Sequence, residues 1–293
     1  MKSFLKFILI FGLILLLSAL LAPWLFSFLP FKFERIFNRL VMIFSLTSIV
    51  LFVRIRREDW DQYGLRCYPW SFSEFLKGFV AGVLILVALT VYRVGAGFSQ
   101  VSFSGMTAWG IAVKLIQFTF SGLLIALIEE FFFRGFTDQS LRIRFRFPVL
   151  LATGVTSLFY ASLHFVTQKK IWIDQTPDFF DSLKLMASPF LSLTQPGIWP
   201  AFTGLFLFGI VLHHLRLSTQ SLYAGMGLHA GCVFFVKSDG IFVDGIQAPS
   251  LWMGSKVFYD GMAGWFSILL LGVILHLWIS PKTFKKNVQG NVL

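Results

Sequence analysis

The stretch LKFILIFGLILLLSALLAPWLFSFL, residues 5–29, decides the fold class of this chain. Roughly twenty consecutive apolar residues cross the hydrocarbon core of a bilayer as one helix, and Lys6 is the only ionisable residue in the stretch. Lys2 and Lys6 before an apolar core also fit a cleavable signal peptide, which is the alternative interpretation. Because the apolar run is longer than a signal-peptide core of about 7–15 residues, we expect an uncleaved first transmembrane helix.

The rest of the chain has the composition of a membrane protein. Of its 293 residues, 56% are hydrophobic and 13% are charged, whereas a soluble domain carries about 25% charged residues. Further apolar runs lie near residues 38–54, 74–95, 108–133, 147–166, 198–215, 219–237 and 262–280. We therefore expect an all-α fold, a polytopic bundle of about eight transmembrane helices in the lipid bilayer.

The formal net charge of +11 does not indicate a nucleic-acid-binding protein. The basic residues stand at the ends of apolar runs, as in RIRRED at 54–59 and LRIRFRF at 141–147, and form neither one patch nor a known nucleic-acid-binding motif. They are more numerous on the side that carries the N-terminus, so we expect both termini in the cytoplasm. Cys67 and Cys232 lack the spacing of a zinc site.

The segment 172–199 interrupts the pattern of apolar runs. It contains three aspartates and three prolines among intermittent apolar residues. We expect an amphipathic or re-entrant piece on the non-cytoplasmic side. Its aspartates, Asp174, Asp178 and Asp181, fit a solvated loop face, with a cation site as the alternative.

Ionisable residues inside the apolar runs are the candidates for function, because such residues face the bundle interior or a cavity. One group is Glu129, Glu130 and Arg134 in ALIEEFFFRGF, and the others are His164 and His229. Glu130 and Arg134 are four residues apart and can pair on one helix face. Glu129 is rotated by about 100° from Glu130, so we expect it to point into a polar cavity.

A carboxylate and two imidazoles can hold and polarise a water for attack on a peptide carbonyl. Each residue also has a structural interpretation: a membrane histidine can hydrogen-bond a neighbouring helix, and a Glu/Arg cluster can anchor a helix end. His213 and His214 end an apolar run beside Arg216 and favour an interfacial role, and His276 favours packing or hydrogen bonding. Taken together, Glu129, His164 and His229 predict a catalytic cavity in the bundle interior.

Three motifs in order resemble those of the CPBP family, the membrane proteases that include the Rce1-type CAAX prenyl endopeptidases and the bacterial Abi proteins. EEFFFR resembles the family's E-E-x-x-x-R motif, YASLH its F-x-x-x-H motif, and SLYAGMGLHAG its H-x-x-x-N helix. The resemblance covers about residues 105–237 and divides one integral membrane domain into N-terminal helices (1–104), this core (105–237), and a loop, last helix and basic tail (238–293).

The resemblance implies a glutamate-type intramembrane endopeptidase that acts on a membrane-associated protein or peptide. In this chain Glu129 would be the catalytic glutamate and Glu130 the partner of Arg134. His164 and His229 would orient the water or the scissile carbonyl. The glutamate mechanism needs no metal, and the chain lacks the zinc signature HExxH, so no cofactor is expected, although a metal-dependent mechanism stays open. Likeness to the Abi branch implies a bacterial plasma membrane.

Two positions depart from the family pattern. Tyr160 stands where the second motif has Phe, and Val233 stands where the third motif has Asn. The family's Asn is credited with stabilising the oxyanion, an interaction worth a few kcal/mol in the transition state (about 3–4), and Tyr160 is a candidate replacement. Val233 favours a second hypothesis, a non-catalytic scaffold or bacteriocin-immunity protein of the same fold. A proton-coupled transporter is a third, disfavoured because no internal repeat is present.

Overall fold

The structure, a computed structural model, describes residues 2–165, 173, 176–254 and 257–279. Within these ranges it is all-helical apart from two isolated β-bridges, which confirms the predicted fold class. The described residues form nine α-helices: α1 (Lys2–Phe26), α2 (Phe33–Arg56), α3 (Ser71–Gly95), α4 (Ala108–Glu130), α5 (Val149–Leu163), α6 (Phe179–Leu193), α7 (Trp199–Thr219), α8 (Tyr223–Asp239) and α9 (Met262–Ile279).

Six of the described helices are long and apolar enough to cross a membrane, namely α1, α2, α3, α4 with its continuation to Arg144, α7 and α9. The protein is therefore an integral membrane protein. The other two predicted spans are also helices, but α5 has 15 residues and α8 has 17. The predicted span 38–54 begins earlier in the structure, at Phe33, because the helical turn before residue 38 buries Phe33, Ile36 and Phe37.

The segment 172–199 contains the expected extra helix, α6. Asp178 caps its N-terminus, and Asp178 and Asp181 form a reciprocal capping box through each other's backbone N–H groups. Two of the three aspartates in this segment, Asp178 and Asp181, therefore have a structural role in capping a helix. Asp174 lies outside the described residues, as do the basic residues of the C-terminal tail.

The chain divides into two compact units. The first comprises Met1–Asp59 and Phe136–Trp199, and the second comprises Trp60–Gly135 and Pro200–Leu293. In the first unit α1 packs against α2 and α6, around a core that includes Ala19, Ala22, Phe33, Phe37 and Leu185. The predicted division into segments 1–104, 105–237 and 238–293 rests on the motifs and not on compactness. It stays a prediction beside these two units.

The second unit is built around α8, which packs against α3 and α4. Gly78 and Gly82 of α3 and Gly227 and Gly231 of α8 let the two backbones touch. A Cβ at Gly227 would lie 1.9 Å from the Phe75 carbonyl oxygen, and one at Gly78 would lie 2.3 Å from the Ala224 carbonyl oxygen. Small residues four apart on each helix allow such close approach in a membrane, where packing rather than the hydrophobic effect holds helices together.

Two further contacts fix α8. On its α4 side, a Cβ at Gly122 would lie 2.8 Å from the Ala230 carbonyl oxygen. At its C-terminal end, Asp239 accepts hydrogen bonds from Arg93 Nη2 (2.7 Å) and Thr90 Oγ1 (3.0 Å), both on α3. As a result every residue from Ala224 to Gly231 is buried, although α8 is a short helix.

We expect Gly227→Ala to destabilise the protein, because the new methyl group has no space beside the Phe75 carbonyl. Overpacking of this kind costs about 1–3 kcal/mol, more than the helix propensity gained from removing glycine, about 1 kcal/mol. The midpoint of thermal unfolding in detergent should therefore fall. Gly154→Ala in α5, where a Cβ would meet nothing within 4 Å, is the matched control and should leave the midpoint unchanged or raise it.

Candidate active site

Helix α4 turns one narrow stripe toward α8. Its buried residues are Gly122, Ala126 and Glu130, spaced four apart, and two of them are small. The spacing places Glu130 on the same face as the Gly122 contact with α8. The α-helix then continues as π-helical turns at Phe131–Thr137 and Ser140–Arg144, a conformation that is uncommon and often found at functional sites.

Glu130 and Arg134 form the predicted ion pair. Arg134 Nη1 lies 3.0 Å from Glu130 Oε1, and both side chains are almost fully inaccessible to solvent. Arg134 Nη2 also donates to the Gly209 carbonyl of α7 at 3.4 Å, and the guanidinium lies 5.6 Å from the centre of the Phe133 ring. The arginine therefore joins the end of α4 to the middle of α7.

His229 of α8 makes its short contact with Glu130. Its Nδ1 lies 2.9 Å from Glu130 Oε1, whereas its Nε2 lies 3.9 Å from Glu129 Oε2. The sequence led us to expect Glu129 as the partner of His229. Glu130 has the shorter contact because it lies on the α8-facing stripe of α4, while Glu129 is about 100° further round the helix.

The contact with Glu130 fixes the proton on the histidine ring. An ionised carboxylate only accepts hydrogen bonds, so His229 Nδ1 carries the hydrogen and donates it to Glu130. The other ring nitrogen, Nε2, faces Glu129. At 3.9 Å the two atoms are beyond direct hydrogen-bond distance.

Further residues of α7 and α8 line this site. The Phe208 ring meets the His229 ring edge to face, with centroids 5.6 Å apart. Gly225 lies against the Glu130 carboxylate, since a Cβ there would be 3.4 Å from Oε2. The sequence signals the glycines beside His229, but nothing in it separates Phe208 and Gly209 from the rest of the apolar run that forms α7.

Glu129 differs from Glu130 in its exposure. The Glu129 side chain is 20% exposed, compared with 1% for Glu130. Two adjacent glutamates therefore occupy different environments: Glu130 contacts Arg134 and His229 and is buried, whereas the Glu129 side chain is partly exposed although its Oε2 atom is buried. The assignment of a structural role to Glu130 and a catalytic role to Glu129 stays a prediction.

His164 and Tyr160 belong to the first unit and are described with it. His164 follows the last turn of α5, and its Nδ1 donates to the Tyr160 carbonyl at 2.9 Å. The two rings are 4.5 Å apart between centroids. His164 is exposed and Tyr160 is buried. Whether they join Glu129 and His229 in one site stays a prediction.

The remaining histidines are placed differently from one another. His276 hydrogen-bonds His214 across α9 and α7, with 3.1 Å between the ring nitrogens, as expected for a hydrogen-bonding role. His213 was expected at an interface with solvent, but it is 1% exposed, because it lies on the inner face of α7 with Leu212. Among the described residues, no group of three or more His, Cys, Asp or Glu side chains is arranged to hold a metal ion.

Comparison with known proteins gives one match. Residues 111–235 match the model of a family described as type II CAAX prenyl endopeptidase Rce1-like, almost the same range as the resemblance found from the motifs. No curated protein and no solved structure shows significant similarity to the chain. The family match confirms the resemblance and indicates a membrane peptidase of the CAAX type.

We expect Arg134→Ala to lower stability and abundance, because it leaves the Glu130 carboxylate buried without its cation. Removing one partner of a buried ion pair costs about 3–5 kcal/mol. Arg66→Ala is the matched control in the same unit, since the Arg66–Asp61 pair is 3.5 Å long and its side chains are 58% and 41% exposed. It should change nothing measurable. Equal abundance of the two variants in membranes would contradict the structural role of Arg134.

Proposed function

Because residues 111–235 match the model of the Rce1-like family of type II CAAX prenyl endopeptidases, we propose that this protein is a glutamate-type intramembrane endopeptidase. Its reaction is the hydrolysis of a peptide bond in a membrane-associated protein or peptide. Glu129 activates the water, and Glu130 and Arg134 are positioning residues that act through His229. The protein resides in a bacterial plasma membrane with both termini in the cytoplasm.

The observation that carries the proposal is the order of contacts Arg134–Glu130–His229, with the partly exposed Glu129 beside His229. Arg134 balances the charge of Glu130, and Glu130 holds the Nδ1 hydrogen of His229. This arrangement leaves His229 Nε2 and Glu129 Oε2 facing each other at 3.9 Å. A water that contacts both atoms would be aligned by two acceptors before it reacts.

The chemistry follows from these positions. Glu129 takes a proton from the water as general base, and the hydroxide adds to the scissile carbonyl carbon. The tetrahedral intermediate then collapses, the C–N bond breaks, and the leaving amine takes the proton back from Glu129. A positioned acid–base group of this kind contributes about 10²–10⁴-fold to the rate. Fixing His229 in one tautomer keeps Nε2 available to the water throughout.

His164 and Tyr160 enter the proposal on their motif alone. His164 would orient the water or the scissile carbonyl, with its ring held by the Nδ1 hydrogen bond to the Tyr160 carbonyl. The Tyr160 hydroxyl is the candidate donor to the oxyanion in place of the family's Asn. Val233 cannot serve, since its half-buried aliphatic side chain carries no donor.

Val233 also supports the second hypothesis, a non-catalytic membrane scaffold or bacteriocin-immunity protein of the same fold. In that case the contacts of Glu130, Arg134 and His229 would serve only to hold α4, α7 and α8 together. The two hypotheses separate at Glu129. An enzyme would need its carboxylate as the general base, whereas a scaffold would depend on it less than on the buried Glu130.

We expect Glu129→Gln to abolish cleavage while the protein stays folded, because the amide keeps the shape of the carboxylate but cannot accept the proton. The measurement compares membrane and secreted peptides of cells that carry the wild type, Glu129→Gln or no copy of the gene. Peptides missing from both of the latter would be products of the reaction. A peptide pattern for Glu129→Gln equal to that of the wild type would support the scaffold.

Glu130→Gln is the matched control for Glu129→Gln. It changes the neighbouring residue in the same way, but it removes the buried negative charge between Arg134 and His229. We expect it to lower the thermal midpoint as well as activity, whereas Glu129→Gln should lower activity alone. If both variants lost stability to the same extent, the division of roles between the two glutamates would be wrong.

We propose that the reaction requires no metal ion. With a peptide identified as above, cleavage by isolated membranes should proceed at an unchanged rate after treatment with EDTA or 1,10-phenanthroline. The reason is that a carboxylate base can activate water without a Lewis acid. Inhibition that is reversed by added zinc would establish a metal-dependent mechanism instead.

A further inference from the structure

Helix α6, in the first unit, exposes an apolar face. Among its most exposed side chains are Phe180 (66%), Leu183 (38%), Phe190 (73%) and Leu191 (51%). Lys184 is the one charged residue on this face, and its ammonium lies 2.6 Å from Asp181 Oδ1. Its long aliphatic stem allows a lysine at such a place to reach the lipid headgroups while the stem stays in the apolar region.

The buried face of α6 is the more polar one. It carries Asp181, Ser182, Ser188 and Ser192, each at most 2% exposed. A helix on the water-facing surface of a protein has the opposite arrangement, with its apolar stripe inward and its polar residues outward. Small polar residues at the helix contact and apolar residues outside are typical of helices surrounded by lipid.

The contact with α1 gives the depth of α6. Ser182 Oγ donates to the Ala19 carbonyl at 3.0 Å. Ala19 lies seven residues before Phe26, the last residue of α1, which is about 10 Å along the helix axis at 1.5 Å per residue. Helix α6 therefore lies beside a membrane-spanning helix rather than beyond its end.

Exposed residues of α1 at the same level are also apolar. Leu20 is 54% exposed and Leu21 is 37% exposed, next to Ala19 in sequence. The exposed side chains of α1 and of α6 are therefore both apolar near this contact. If water surrounded α6 at this level, it would also contact the exposed leucines of the membrane-spanning α1.

From these observations we propose that α6 is embedded in the bilayer and that lipid acyl chains cover its exposed face. With 15 residues it is about 22 Å long, shorter than the hydrocarbon core of about 30 Å, so it is a re-entrant helix rather than a further span. Lipid requires the backbone hydrogen bonds to be satisfied within the protein. Pro189 has no N–H to donate to the Leu185 carbonyl, and that carbonyl accepts from Ser188 Oγ at 2.7 Å instead. This inference is independent of the proposed catalytic activity.

The experiment uses the full chain with Cys67→Ser and Cys232→Ala, reconstituted into phospholipid vesicles. A nitroxide spin label is attached at Phe190→Cys or, in a second variant, at Phe180→Cys. Collisions with oxygen, which concentrates in lipid, and with a water-soluble nickel chelate are measured by electron paramagnetic resonance. Leu20→Cys on α1 is the lipid control and Arg56→Cys, at the end of α2 in the RIRRED run, is the water control.

We expect both α6 labels to collide mainly with oxygen, as the Leu20 label does. Collision mainly with the nickel chelate, as for the Arg56 label, would place α6 in water and overturn the proposal. Protection from both reagents would also overturn it, because it would mean that another protein rather than lipid covers this face. Size-exclusion chromatography identifies any variant that does not fold, and Leu191→Cys then replaces it.

Discussion

The backbone contact between α3 and α8 is the constraint on which the described site depends. Gly227 and Gly231 face α3, where no side chain fits. His229 lies two residues from each glycine, and two residues turn a helix by about 200°. The same contact that seats α8 against α3 therefore directs His229 away from α3 and toward Glu130 on α4. A small displacement of α8 would lengthen the 2.9 Å contact between the histidine and the glutamate.

Charge burial is the second feature of the site. An ion pair in a low-dielectric interior costs several kcal/mol per ion in desolvation, so Glu130 and Arg134 are expensive to bury in a helix contact that a few apolar side chains would make as well. Their cost is offset by the hydrogen bonds to His229 and Gly209. What the pair adds is a fixed orientation of one imidazole, and that orientation matters for chemistry more than for folding.

The first unit also has a polar side chain and small residues at a contact between helices. Helix α6 joins α1 through the Ser182 hydroxyl and the small residues Ala19 and Ala22. In both units, polar and small residues lie at the contacts between helices, as expected where lipid rather than water surrounds the helices. This is also why the composition of 172–199 gave an ambiguous prediction: in lipid, polarity indicates a contact with protein as readily as exposure to water.

The sequence by itself determined the membrane environment, the helical fold class and the pairing of Glu130 with Arg134, because apolar run length and i, i+4 spacing are local properties. The tertiary structure decided that Glu130 lies closer to His229 than Glu129 does (2.9 Å against 3.9 Å), that His213 is buried, and that α5 and α8 are short. These depend on which helix faces which, and on how closely glycines let backbones approach. Spacing along one chain carries no information about the rotation of one helix relative to another.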